Sequence, residues 1–207
     1  MKESGRNPKL RTTTHWGVDN VMDFMDYFAA WLVTVVLIVA AVIDGIQLKV
    51  PNWLTFPFVI SGWVYSVVHF VVIGEPWYEG LGYSLLGTAV GLGLLLIPYA
   101  IGGMGAGDVK LLAGVGAWVM GIHTFYAFCA TCIVGALLAV GMVLYRRAWS
   151  KHRDQFWMIL GEIMTIRDPN QLSAIAAERK SSMLLLPYGI PIAIGTIIYF
   201  AWMRMLI

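Results

Sequence analysis

The chain has 207 residues, 59% of them hydrophobic and 13% charged, with 14 Lys/Arg against 12 Asp/Glu. A soluble domain carries about 25% charged residues, and a soluble fold of this size could not hide so much apolar surface. Disordered chains, coiled coils and cytosolic enzymes are excluded, and an all-α, polytopic membrane protein is predicted.

Residues 1–27 are polar, and no small-residue cleavage site follows an apolar core, so they do not read as a signal peptide. Trp16, Val21, Phe24, Met25 and Phe28 recur at roughly helical spacing among Asp19, Asp23 and Asp26. This pattern predicts an amphipathic helix on the membrane surface, within an extracytoplasmic N-terminal segment over 1–27. A transmembrane domain over 28–207 follows. Its uncharged runs are 27–43, 50–74, 80–107, 111–145 and 181–203. A span needs about 20 residues, so the first, second, third and fifth runs each hold one. The fourth is too long for one span and short for two with an ordinary turn. Its polar break, Gly121-Ile122-His123-Thr124, divides it into a short helix near 106–121 and a fuller one near 124–145. About six transmembrane helices are expected, the short one beginning at the membrane edge in the glycine-rich segment 103–108. A cytosolic loop, 146–182, precedes the last span, with short helices interrupted at Asp168-Pro169.

Six spans place both termini on one side. The other side then holds Lys49, Lys110, Arg146, Arg147, Lys151, Arg153, Arg167, Arg179 and Lys180, against Lys2, Arg6, Lys9, Arg11 and Arg204 with the termini. The positive-inside rule puts the 146–182 loop in the cytosol and the termini outside. The net charge of +2 says little about partners, and no basic-aromatic pattern points to nucleic acid. Cys129 and Cys132, three residues apart in an apolar run, read as small buried side chains.

Four charges remain once tails, loops and helix ends are assigned: Asp44, Lys49, Asp108 and Lys110. An ionisable group within a span costs roughly 2.5–3.5 kcal/mol on insertion scales and marks function by default. Topology brings all four to one membrane face. Asp44 closes the first span, and an acid at a helix end among the headgroups is its plainer reading. Asp108 follows Gly102, Gly103, Gly105 and Gly107, which break a helix at membrane depth, tolerated only against protein or a wet cavity. Its plainer reading is a linker with a capping acid. Taken together, the two acids suggest an aspartyl dyad, which shares a proton and titrates as a coupled pair. One member takes a proton from an attacking water while the other polarises a peptide carbonyl and protonates the leaving amine. This chemistry needs no metal and no other cofactor. His15, His69, His123 and His152 are dispersed without zinc-site spacing, and no serine lies in a GxSxG context. Lys49 and Lys110 read as snorkelling to the headgroups.

Gly105-Ala106-Gly107-Asp108-Val109-Lys110-Leu111 resembles the GxGD motif of membrane aspartyl proteases. Asp44 followed by Lys49-Val50-Pro51-Asn52 resembles the first-aspartate segment of type IV prepilin peptidases, and Pro187-Tyr188-Gly189 resembles the segment opening their last helix. The three motifs stand in family order. The resemblance implies removal of the leader from prepilins or pseudopilins at the cytosolic side of the inner membrane, with Asp44 and Asp108 as the catalytic pair. It implies supporting roles for Gly105, Gly107, Lys110, Lys49, Pro51, Asn52, Pro187, Tyr188 and Gly189. Prepilin substrate and membrane lipid are the partners implied. Long members carry a tetracysteine segment associated with N-methylation; this chain, lacking it, resembles the short peptidases of Flp-type pili. Other readings are a proton- or cation-coupled transporter, a presenilin-like intramembrane protease and an inactive scaffold of a secretion assembly.

Overall fold

The computed structural model describes residues 13–100, 104–145 and 187–206, and every regular element among them is a helix. The tail 1–12, the Gly102-Gly103 pair and the 146–182 loop with its Asp168-Pro169 break lie outside these residues. The helices are α1 (Thr13–Gln47), α2 (Asn52–Val72), α3 (Trp77–Ala100), α4 (Ala106–Tyr145) and α5 (Gly189–Trp202). Four of them contain stretches long and apolar enough to cross a bilayer: Phe24–Gln47, Asn52–Val72, Trp77–Ala100 and Ala106–Met142. α5 has 14 residues. The chain is an integral membrane protein.

The segment read as a surface helix runs unbroken into the first span, because no proline interrupts α1. α1 ends with Leu48 in the left-handed region (φ 52), its N–H donating to the Asp44 carbonyl at 2.7 Å. That is the single-bond left-handed helix cap, here on a residue other than glycine. Pro51 starts α2 from an extended conformation (φ −76, ψ 147), and its carbonyl accepts the N–H groups of Leu54 and Thr55. Gly74 at φ 86 turns the chain toward α3.

α4 does not run straight. A straight helix over the 37 residues Ala106–Met142 would be about 55 Å long, nearly twice the hydrocarbon thickness. It breaks at Met120 (φ 65, ψ 171), just before the expected Gly121–Thr124 position. Before the break α4 runs antiparallel to α3, with Gly87 against Gly116 and Gly91 against Leu112. Beyond it α4 runs antiparallel to α5, with Gly195 against Thr131 and Gly135 against Pro191. Since α3 ends and α5 begins at the same end of the bundle, the two halves of α4 run in opposite senses.

The interior is built for close backbone approach, not for bulk. A Cβ on Gly87 would collide with the Gly116 carbonyl, so α3 and α4 touch backbone to backbone. Small residues at such contacts are the usual means of helix association in lipid, where burial of apolar surface drives nothing. Polar side chains complete the joints. Ser84 Oγ donates to the Ala117 carbonyl at 2.6 Å, Trp118 Nε1 to the Phe58 carbonyl at 2.9 Å, and Trp63 Nε1 to Thr88 Oγ1 at 3.0 Å. Large apolar side chains such as Trp31, Val35, Val42, Ile97 and Leu137 face outward, as lipid contact requires.

Candidate active site

On α1 the buried positions include Ala30, Val33, Leu37, Ala40 and Asp44, spaced alternately by three and four residues along one face, with Ala29 and Thr34 beside them. Asp44 therefore continues the stripe that packs inward, and it is 2% exposed. The plainer reading of an acid among headgroups does not describe this position. Its Oδ2 accepts the Gly189 N–H at 2.7 Å, at the start of α5. A Cβ on Gly189 would lie 2.9 Å from that oxygen and 3.1 Å from the carboxyl carbon. Glycine is what lets the α5 backbone reach the carboxylate.

Asp108 lies in the first turn of α4 and is 6% exposed. The Gly105 carbonyl accepts the Asp108 N–H at 3.2 Å, and Asp108 Oδ2 accepts the Gly105 N–H at the same distance. This is the carboxylate half of a capping box, an acid reaching back to the residue that precedes the helix. Capping occupies one oxygen only. The other, Oδ1, is buried and has no hydrogen-bond partner among the described residues. A buried oxygen without a partner costs about 1–3 kcal/mol, a penalty that capping alone gives no reason to bear.

The two carboxyls are close enough for the charge of Asp44 to act on Asp108, and the Asp108 charge acts in turn on the half-buried Tyr188 phenol. Two close backbone contacts hold the segments around the acids. Gly189 holds Asp44 to α5, and Gly107 packs on the Val50 backbone, where a Cβ would stand 2.6 Å from the Val50 carbonyl oxygen. Lys110 Nζ donates to Asn52 Oδ1 at 2.9 Å and lies 4.7 Å from the centre of the Phe56 ring, fastening α4 to α2. Pro187 and Tyr188 supply carbonyls that accept the N–H groups of Ile190 and Ile192. Lys49 is exposed in the turn after α1.

The structure thus brings Asp44, Pro51, Asn52, Gly105, Gly107, Asp108, Lys110, Pro187, Tyr188 and Gly189 to one end of the bundle, with Lys49 at its surface. Sequence reading had no signal for Val50 as the surface that Gly107 meets, nor for Phe56 beneath Lys110. Two histidines lie elsewhere. His69 Nε2 stands 3.7 Å from Asp26 Oδ1, and His123 Nδ1 is 2.7 Å from the Tyr199 hydroxyl. Both line a cavity of about 370 Å³ at the opposite end, since Asp26 is about 27 Å from Asp44 along α1.

The type IV leader peptidase family matches this chain over residues 31–140, a stretch that includes both acids. The chain is 32% identical over 120 residues to the prepilin leader peptidase/N-methyltransferase of Aeromonas hydrophila, covering 57% of this chain and 41% of the relative. It is 33% identical over 129 residues to the prepilin leader peptidase/N-methyltransferase of Bacillus subtilis, covering 59% and 48%. The chain therefore spans less than half the length of these curated relatives. No solved structure gives a significant match. With the family match extending over more than half of the sequence and through both buried aspartates, the chain belongs to the type IV leader peptidase family.

Proposed function

We propose that this chain is a membrane aspartyl endopeptidase that removes the leader peptide of type IV prepilins of the Flp-like kind. The observation that carries this reading is the pairing of two deeply buried aspartates, interacting across motifs more than sixty residues apart. The names of the relatives support the substrate class. The reaction is proposed to run on the pair alone. Asp44, whose Oδ2 holds the shorter N–H bond, acts as the carboxylate that takes a proton from water. Asp108 carries the proton on its unpartnered Oδ1, hydrogen-bonds the scissile carbonyl with it without giving it up, and releases that same proton to the leaving amine as the C–N bond breaks. The charge asymmetry across the spans supports a cytosolic-facing site in the cytoplasmic membrane with the termini outside.

The test is coexpression with an Flp-type prepilin, following leader removal by gel shift. Asp44→Asn and Asp108→Asn each lower the processing rate by about 10²–10⁴-fold, the usual contribution of a general acid or base. Processing at the normal rate by either variant refutes the dyad.

A further inference from the structure

Beside the aspartates an apolar groove of about 370 Å³ opens between α3, the second half of α4 and the start of α5. One end is formed by Tyr188 and Met104. Tyr188 adjoins Gly189, whose N–H holds the Asp44 carboxyl, and Met104 adjoins Gly105, whose N–H holds the Asp108 carboxyl. From there the groove follows Gly135, Thr131 and Phe128 along α4 toward the middle of the membrane, because this half of α4 runs away from the site when read backwards. α4 positions 128–139 cover about 16 Å of depth. The floor is shallow because its side chains are small, among them Ala136 and Ala139, both exposed among the described residues. A volume near the lower end of the usual 300–1,000 Å³ range for binding pockets admits a few side chains, not a whole helix.

We propose that this groove receives the first two turns of the apolar helix that, by the resemblance to prepilin peptidases, follows the scissile bond of the substrate. The inference rests on the peptidase reading above and extends it to what lies beside the cut. A peptide bond presented to two carboxyls at the membrane edge must carry its apolar continuation into the bilayer at that place. The groove is continuous with the site and apolar throughout except for Thr131, Cys132 and the Tyr188 hydroxyl. Side chains of the incoming helix enter it, and the small residues of α4 let the two backbones approach. The groove holds the substrate by its helix and contributes no group to the proton transfers, so its loss is read in substrate binding.

Cys132, read from the sequence as buried, lies exposed in the groove because no helix among the described residues packs on this face of α4, and it provides the probe. In membranes, prepilins carrying one cysteine in the first two turns of the apolar helix are oxidised against the Cys129→Ser variant, leaving Cys132 as its one thiol. A disulfide to Cys132 is expected, with a helical periodicity in the reactive positions. In a second arm, Ala136→Trp and Ala139→Trp fill the groove. They raise KM for full prepilin by about 10-fold, equivalent to losing one buried apolar side chain. Cleavage of a short soluble peptide that spans the junction but lacks the helix stays unchanged. No disulfide, or equal impairment of prepilin and peptide, overturns the groove assignment. The disulfide is read without turnover, so a chain that bound the helix and cut neither substrate would refute the peptidase reading while upholding the groove.

Discussion

Gly189→Ala separates the positioning of Asp44 from its chemistry. The new Cβ would stand 2.9 Å from Asp44 Oδ2 and 3.0 Å from Asp44 Cβ, where ordinary contact begins near 3.4 Å. The carboxyl or the α5 backbone must retreat by about 0.5 Å, and the 2.7 Å bond from the Gly189 N–H is stretched with it. Because a misplacement of 1 Å can cost about 100-fold, the expected loss in kcat is about 10- to 100-fold. That is smaller than the loss for Asp44→Asn, because the carboxyl is displaced and not removed. Overpacking costs about 1–3 kcal/mol of stability, so the assay pairs leader cleavage in defined detergent with a thermal unfolding midpoint for the same preparation. Gly93→Ala is the control: a helical glycine whose Cβ meets nothing within 4 Å, and the exchange leaves both readouts unchanged or slightly raises the midpoint. Gly189→Ala with full activity and a folded chain would show that the glycine contact does not position the carboxyl.

Gly107→Ala presses a methyl on the Val50 carbonyl, which is backbone and cannot swing aside. It is expected to lower stability by about 1–3 kcal/mol and to reduce cleavage, read by thermal unfolding and gel shift. Ser84→Ala loses the 2.6 Å bond to the Ala117 carbonyl between α3 and α4, and its cost in detergent unfolding is about 0.6–1.7 kcal/mol, from the mean to the maximum for such bonds in membranes. Lys110→Met removes a bond to Asn52 that water can reach; stability falls by about 1 kcal/mol or less, and cleavage stays within about 10-fold of normal. The pH profile of kcat/KM is bell-shaped: the rate falls at low pH, where the base is protonated, and at high pH, where the acid has lost its proton. Only one limb, or a flat profile, would contradict shared acid–base work.

The legibility of the site in sequence was uneven, for physical reasons. Asp108 was recognisable because glycine and acid beside one another at membrane depth have few structural uses. Asp44 was ambiguous, since α1 is apolar on every face and its inward stripe of Ala30, Val33, Leu37 and Ala40 differs from its lipid face in size, not polarity. The break in α4 was foreseen from His123 and Thr124, yet these two residues bond inward, to the Tyr199 hydroxyl and the Met120 carbonyl. The reversal falls on Met120 at φ 65, and nothing in a methionine announces a left-handed backbone. The groove left no trace either, because Phe128 through Ala139 is apolar whichever way it faces.

These contacts also fix the relative placement of the two acids, although the helices carrying them touch little. α1 and α4 are neighbours mainly through what lies between them, so the spacing of Asp44 and Asp108 is set indirectly. Asp44 is tied to α5 at Gly189, and α5 packs along the second half of α4 through Gly195 and Thr131. Asp108 is tied to the first half of α4 by its own capping bond, and that half is locked on α3 at Gly87 and Gly116. The Met120 reversal joins the two halves and so closes one long path between the carboxyls, through α5 and both halves of α4. The short path runs from Asp44 through the turn at Leu48 to Val50, and across to Gly107. Short and long paths closing on the same pair of carboxyls form a ring. A ring of backbone contacts holds a distance more tightly than flexible side chains could, which is what the proposed sharing of one proton would demand.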